Sequence, residues 1–188
     1  TAWHDIAGDG AYTTKYFYDA LGRLDYSVNP NGTVVRNAYD ALDRVVEVEM
    51  GVADGSDLPT EMKTVSMTIF DGSGSTPGAG DGNVTRVIEP VSDTSGEDRI
   101  TDYFYDFRNR LVATENPAAP HTIVAYDNLD RVIEQAVISD AISLPYDMTA
   151  SDSARGRYTR TWYSQRGRPY RQQLALDPTE DVLDRNYI

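Results

Sequence analysis

The sequence contains no cysteine, which removes disulfides and thiolate metal sites as ways of holding the chain together. Histidine is nearly missing too. His4 and His121 lie far apart, neither beside a recognisable partner motif, and both read as turn or surface residues rather than as ligands or bases. Positive charge is scarce: 17 Lys and Arg stand against 30 Asp and Glu, a net charge of −13 at pH 7. A field of that sign repels phosphate backbones and anionic lipid, which argues against nucleic-acid binding and membrane docking. No run approaches the roughly 20 apolar residues of a membrane-crossing helix. Thr1-Ala2-Trp3-His4-Asp5 lacks the basic start and apolar stretch of a signal peptide, and there is no initiating Met. The chain is therefore expected to be a piece of something longer. Amphipathic helix is missing as well; Ala136 to Ala150 comes nearest, and Ser139, Ser143 and Pro145 spoil it.

What the sequence does have is tyrosine, 13 residues against 4 Phe and 2 Trp, within an apolar content of 40%. Tyrosine suits half-buried sheet positions, where the ring packs and the hydroxyl reaches a polar partner. The tyrosines recur in a pattern. Tyr18-Asp19, Tyr39-Asp40, Phe70-Asp71, Tyr105-Asp106, Tyr126-Asp127 and Tyr163-Ser164 are spaced irregularly until taken in pairs. Tyr105 follows Tyr18, and Tyr126 follows Tyr39, by the same 87 residues. In that register Tyr16-Phe17-Tyr18-Asp19 matches Tyr103-Phe104-Tyr105-Asp106, and Asn29-Pro30 matches Asn116-Pro117. Leu42-Asp43-Arg44-Val45 matches Leu129-Asp130-Arg131-Val132, and Glu47 matches Glu134. The chain therefore reads as one repeat array of two modules, about 16–102 and 103–188, in which each unit cannot bury its surface alone.

Within a unit the period is two and the composition is Val, Ile, Thr and Tyr, so the expected class is all-β, an array of stacked antiparallel hairpins. Tyr16 and Tyr18 fall on one face, and Leu24 and Tyr26 are expected to join it after the turn. The turn explains the motif. A three-residue hairpin loop ends in a left-handed residue, which Gly, Asn and Asp tolerate. The fourth position after the aromatic holds Gly22, Asp43, Asn109, Asp130 and Gly167. Arginine follows in all five: Arg23, Arg44, Arg110, Arg131 and Arg168. The Asp after Tyr is placed for an Asx-turn and for a cross-strand ion pair with that Arg. Tyr18 is expected opposite Leu24 on the buried face, and Tyr39, Tyr105 and Tyr126 are expected in the core. Three stretches interrupt the period and read as surface insertions: 51–60, 72–82 and 139–156.

These residues resemble the YD (tyrosine–aspartate) repeats of the Rhs family. Tyr18-Asp19-Ala20-Leu21-Gly22-Arg23-Leu24, Gly82-Asn83-Val84-Thr85 and Asn29-Pro30-Asn31-Gly32-Thr33 carry the likeness, which runs from about Tyr12 to Pro178 outside the insertions. Phe70-Asp71 lacks a nearby Arg-Leu, Tyr163-Ser164 lacks the Asp, and Asp43, Asn109 and Asp130 replace the usual Gly. The resemblance implies a β-solenoid that spirals into a hollow shell. It implies a secreted or cell-surface setting: encapsulation of a C-terminal toxic domain in bacterial relatives, adhesion in animal ones. The self-cleaving segment of the bacterial family has no counterpart here, so no catalytic residue carries over.

Other chemistries are weaker. No Ser lies in a nucleophile elbow. The recurring Asp residues are better explained by turns than by the paired carboxylates of a glycosidase. Gly72-Ser73-Gly74-Ser75 lacks the Lys and helix of a phosphate loop. Asp71, Asp81 and Asn83, or Asp54 and Asp57, could ligate Ca²⁺, but the EF-hand pattern is missing. Asn31 and Asn83 fit the N-glycosylation pattern, at about the frequency of chance. Rows of exposed tyrosine on surface strands could stack on sugars. The leading expectation is a non-catalytic structural module without cofactor, whose partners are neighbouring repeats, copies of itself, an enclosed polypeptide or surface glycans. The alternatives are a carbohydrate-binding or adhesion module and, less favoured, a hydrolase.

Overall fold

The computed structural model describes residues 12–71, 80–92, 96–139, 155–175 and 183–185. Among these there is no helix, and none long and apolar enough to cross a membrane. The protein is all-β. Among the described residues thirteen strands hydrogen-bond in the order of the sequence: β1 (Lys15–Tyr18), β2 (Leu24–Val28), β3 (Thr33–Tyr39), β4 (Val45–Ala53), β5 (Pro59–Phe70), β6 (Val84–Glu89), β7 (Arg99–Tyr105), β8 (Leu111–Glu115), β9 (His121–Tyr126), β10 (Val132–Ile138), β11 (Arg155–Tyr163), β12 (Pro169–Ala175) and β13 (Leu183–Arg185). Every described pairing is antiparallel. The chain divides into two compact units, one comprising residues up to Ile69 with Val87–Arg99, the other Phe70–Arg86 with Ile100 onward.

Each unit has its own small core. In the first, Tyr26, Val28 and Val34 are buried, with Phe17, Ala53 and Met62 against them. Phe17 and Tyr26 stack with ring centroids 4.3 Å apart. In the second, Ala113, Ile123, Ala136 and Ile138 are buried against Phe104, Ala125 and Tyr158. His121 is buried too, and its Nδ1 accepts the Asn116 N–H at 3.0 Å. A structural hydrogen bond, rather than a surface position, accounts for this histidine.

The register departs from strict alternation in one recurring way. Phe17 pairs with Tyr26 but Tyr18 pairs with Leu24, so Asp25 is an extra residue. The same slip follows the turns at Tyr39, Tyr105, Tyr126 and Tyr163. This is the bulge that accompanies a left-handed turn residue. It corrects the expectation that Leu24 and Tyr26 share a face, because their partners Tyr18 and Phe17 are neighbours and point to opposite sides. Tyr18 does oppose Leu24, but on the face away from the core, where it is 63% exposed. Tyr39, Tyr105 and Tyr126 are half-buried and stand outside both core clusters.

Residues 51–60, expected as an insertion, are instead the end of β4, a tight turn and the start of β5. Gly51, which suggested a loop, lies in β4 because β5 approaches too closely for a side chain: an added Cβ would sit 2.5 Å from the Thr60 carbonyl oxygen. Of the other two expected insertions, 72–79 and 140–154 lie outside the described residues.

Candidate functional site

The recurring residues form one repeated construction, best built from the turn outward. All five predicted left-handed positions have positive φ: Gly22 at 82°, Asp43 at 61°, Asn109 at 60°, Asp130 at 61° and Gly167 at 75°. Asp19 N–H donates to the Arg23 carbonyl at 2.9 Å and Gly22 N–H to the Asp19 carbonyl at 3.0 Å, closing a three-residue loop. Asp19 Oδ1 accepts the Leu21 and Arg23 N–H groups, both at 2.9 Å. Asp40, Asp106 and Asp127 repeat this bridge. The other carboxylate oxygen of each takes the Nε–H of its own Arg at 2.7 Å in all four copies.

The arginine then reaches forward to the following Tyr hairpin. The guanidinium of Arg23 lies 4.6 Å from the ring centroid of Tyr39, Arg110 4.7 Å from Tyr126 and Arg131 4.6 Å from Tyr163. Such cation–π contacts contribute about 0.5–2 kcal/mol each. Nη1 of Arg23 donates to Asp43 at 2.6 Å, and Nη1 of Arg110 to Asp130 at 2.8 Å. The tyrosine hydroxyl donates back: Tyr39 to the Leu24 carbonyl at 2.8 Å, Tyr126 to Leu111 and Tyr163 to Val132 at 3.0 Å. Asp, Arg, Tyr and the left-handed Asp thus make a rung joining one hairpin to another.

The fifth copy departs from the rule. Ser164 Oγ accepts the Arg168 N–H at 3.2 Å in place of the missing Asp. Gly167 has no carboxylate, and Nη1 of Arg131 is buried without a hydrogen-bond partner. A Cβ on Gly167 would stand 3.7 Å from that nitrogen.

Three further turns share the geometry and were not legible as copies. Asn29 to Thr33 closes through Asn29 N–H to the Thr33 carbonyl at 2.8 Å, with Gly32 at φ 81°. Asp54 to Leu58 closes with Asp57 at φ 63°, and Asp54 Oδ1 bridges two N–H groups. Asp71 pairs through its N–H with the Asn83 carbonyl at 2.9 Å, with Gly82 at φ 84°. The missing Arg-Leu after Phe70-Asp71 is thereby explained: Asn83 closes the turn from beyond the inserted residues. An Asp or Asn three residues before a Gly or Asp was the available signal for the first two.

The carboxylates are tuned by these bonds. The Asp19 carboxyl is held below its ordinary pKa, first by the Arg23 N–H, and Asp127 first by the Arg131 guanidinium. At Asp40 and Asp106 burial pushes the pKa upward, but the bonds from Arg44 and Arg110 outweigh it and the net shift is down. Asp71 directs its two oxygens to the Gly82 and Asp81 N–H groups, and Asp57 pairs with Lys15. Among the described residues no cluster of three His, Asp or Glu could hold a metal ion.

An open cavity of about 430 Å³ lies in the second unit, lined by Asp127, Arg131, Ile133, Glu134, Arg160, Thr161, Trp162 and Tyr163. Glu134, at 6% exposure, accepts two hydrogen bonds from Arg160, at 2.6 and 3.2 Å. This pair was not predicted. Its signal was Glu134, the counterpart of Glu47, facing a run of arginines between 155 and 171 with no acidic residue among them.

No family model matches the sequence, and no curated relative matches it. Among solved structures, the chain is similar to the crystal structure of TcdB2-TccC3, with a TM-score of 0.47 and 17% identity over 93% of this chain and 10% of that one. The same complex without its hypervariable C-terminal region gives a TM-score of 0.46 and 16% identity, again over 93% and 10% of the two chains. The chain thus spans about a tenth of the length of the structures it matches.

Proposed function

We propose that this chain is a non-catalytic structural module, a strip of β-hairpins that builds a wall, shell or scaffold within a larger secreted or cell-surface protein. One observation carries this reading. In three copies, Arg23 to Tyr39, Arg110 to Tyr126 and Arg131 to Tyr163, the repeated residues are satisfied by one another from hairpin to hairpin, so the motif joins hairpins instead of presenting groups to a ligand. A strip that closes on itself would enclose a polypeptide; one that stays open would serve as a scaffold. Its immediate partners are neighbouring repeats.

The same geometry weighs against the alternatives. A hydrolytic pair needs one carboxyl that holds a proton near neutral pH. In the cavity Asp127 is held ionised by Arg131, and Glu134 is paired with Arg160. Sugar stacking needs a free aromatic face. Tyr39, Tyr126 and Tyr163 each carry a guanidinium over the ring and have committed their hydroxyls to backbone carbonyls, which leaves Tyr16, Tyr18 and Tyr170 among the repeat-region rings with an exposed face.

Melting and glycan-array binding measured side by side on the wild type, Tyr39→Ala, Tyr126→Ala, Arg110→Ala and the exposed pair Tyr16→Ala with Tyr18→Ala test the proposal. The first three variants should lower the melting temperature, and the wild type should bind no glycan. A glycan bound by the wild type and lost in a variant with an unchanged melting curve would overturn it.

A further inference from the structure

Charge is unevenly placed on this chain. Residues 155–175, which form β11, its turn and β12, hold six arginines and no acidic residue, so the rest of the chain carries −19 against a total of −13. Arg160 is committed to Glu134, and Arg171 lies over Trp162 at 4.5 Å. Arg157, Arg166 and Arg168 are exposed, and so is Tyr170. A solvated strand pair ordinarily mixes the signs of its charges, because like charges on neighbouring strands repel. Arginine interleaved with tyrosine and tryptophan is instead the composition of a protein-binding surface.

The complement lies on the same chain. The hairpin of β4 and β5 carries Glu47, Glu49, Asp54, Asp57 and Glu61 against a single basic residue, Lys63; Glu49 is paired with Arg36, Asp57 with Lys15, and Asp54 bridges its own turn. It also exposes Met50, Val52 and Leu58. We infer that the β11–β12 hairpin of one copy docks on the β4–β5 hairpin of a second copy. Guanidinium meets carboxylate, and the rings of the basic hairpin cover the aliphatic and Met side chains of the acidic one. The contact joins two different surfaces, so it is heterologous and each copy keeps one hairpin of each kind free for the next. A polyanion would meet the same arginines but also the −19 of the remaining chain, whereas the acidic hairpin places its net negative charge, with Glu61 exposed, at the contact itself. This goes beyond the structural role proposed above, which does not require copies to associate.

Sedimentation of the 188-residue chain against concentration, at low salt and at about 1 M salt, where the screening length is about 3 Å, tests this. The expected result is a mass that rises with concentration at low salt and returns to the monomer at high salt. Arg157→Glu with Arg166→Glu should abolish association, as should Glu49→Lys with Glu61→Lys. An equimolar mixture of these two double variants should form a complex that stops at the dimer, since each retains one intact hairpin. Where circular dichroism shows that a charge reversal has lost the sheet, the neutral Arg157→Gln with Arg166→Gln replaces it and should weaken association at least tenfold. A monomer at every concentration, an association that survives high salt, a charge-reversed variant that assembles like the wild type, or a mixture that forms no dimer overturns the inference. Heparin or anionic vesicles bound through the same arginines without self-association would assign the hairpin to a polyanion and overturn it too. Salt-insensitive association would point to pairing of strand edges, and would leave the structural-module reading standing.

Discussion

Gly167→Asp should stabilise this protein, although it places a side chain where φ is 75°. In the wild type, Nη1 of Arg131 is a buried donor with no acceptor. A buried donor left unsatisfied costs about 1–3 kcal/mol. Asp43 and Asp130 show what a carboxylate at this turn position does: each has φ 61° and accepts Nη1 of an arginine, at 2.6 and 2.8 Å. Because those carboxylates are largely exposed, the ion-pair part is discounted, and relief of the orphan donor is taken near the lower half of its range, about 1.5–2 kcal/mol. The left-handed conformation takes back up to about 1 kcal/mol, less for Asp than for most residues. The net gain is about 1 kcal/mol, or some 2–4 °C in melting temperature for a chain of this length. Gly22→Asp is the control. It has positive φ, but nothing lies within 4 Å of its Cβ position, so only the backbone cost remains and the melting temperature should fall. Thermal melting, with hydrogen exchange at the β10–β12 amides, reads both variants. If Gly167→Asp falls as far as Gly22→Asp, the rung does not couple hairpins in the way described.

Three further outcomes follow from the same geometry. Tyr39→Phe, Tyr126→Phe and Tyr163→Phe each remove a hydroxyl bonded to a carbonyl and should each cost about 1 kcal/mol in thermal unfolding, whereas Tyr18→Phe, on the exposed face of β1, should be silent. Gly51→Ala places a Cβ 2.5 Å from the Thr60 carbonyl oxygen and should selectively increase hydrogen exchange in β4 and β5, which protection equal to the wild type would contradict. The lowered pKa values of Asp19, Asp40, Asp106 and Asp127 mean that the unfolded chain binds protons first as pH falls. Stability from these groups should therefore be full above the ordinary Asp value of about 3.9 and be lost as pH falls through the lower folded values, and Asp127→Asn should flatten that acid limb.

The turns were the legible part of this sequence. A left-handed residue restricts the choice to Gly, Asn and Asp at a fixed spacing, so Gly22, Asp43, Asn109, Asp130 and Gly167 announce themselves without a structure. The bulge beside each turn follows from that left-handed residue and was there to be read with it, but the extra residue, Asp25, Val46, Val112, Ile133 or Tyr170, does not mark itself by type. Missing it put Leu24 on the core face beside Tyr26 and placed the repeat tyrosines in the core. The Asp19–Arg23 pair could be read because both ends lie in one motif. Arg23 over Tyr39 could not, since that contact depends on how far one hairpin lies from another. The Asp54 turn hid for a different reason: Ala53 and Leu58 stand where Tyr and Arg would be, leaving only the backbone requirement at Asp57.

At Asp71 the turn closes although eight residues fewer would suffice. The Asp71 N–H meets the Asn83 carbonyl, the Asp71 carboxylate holds the Gly82 N–H, and Gly82 supplies the left-handed residue. The chemistry that shuts a hairpin therefore resides in its two ends and is independent of what is threaded between them. The Asp71 turn is thereby a place on the strip where the connecting stretch is longer while the bonds that close the hairpin stay in place.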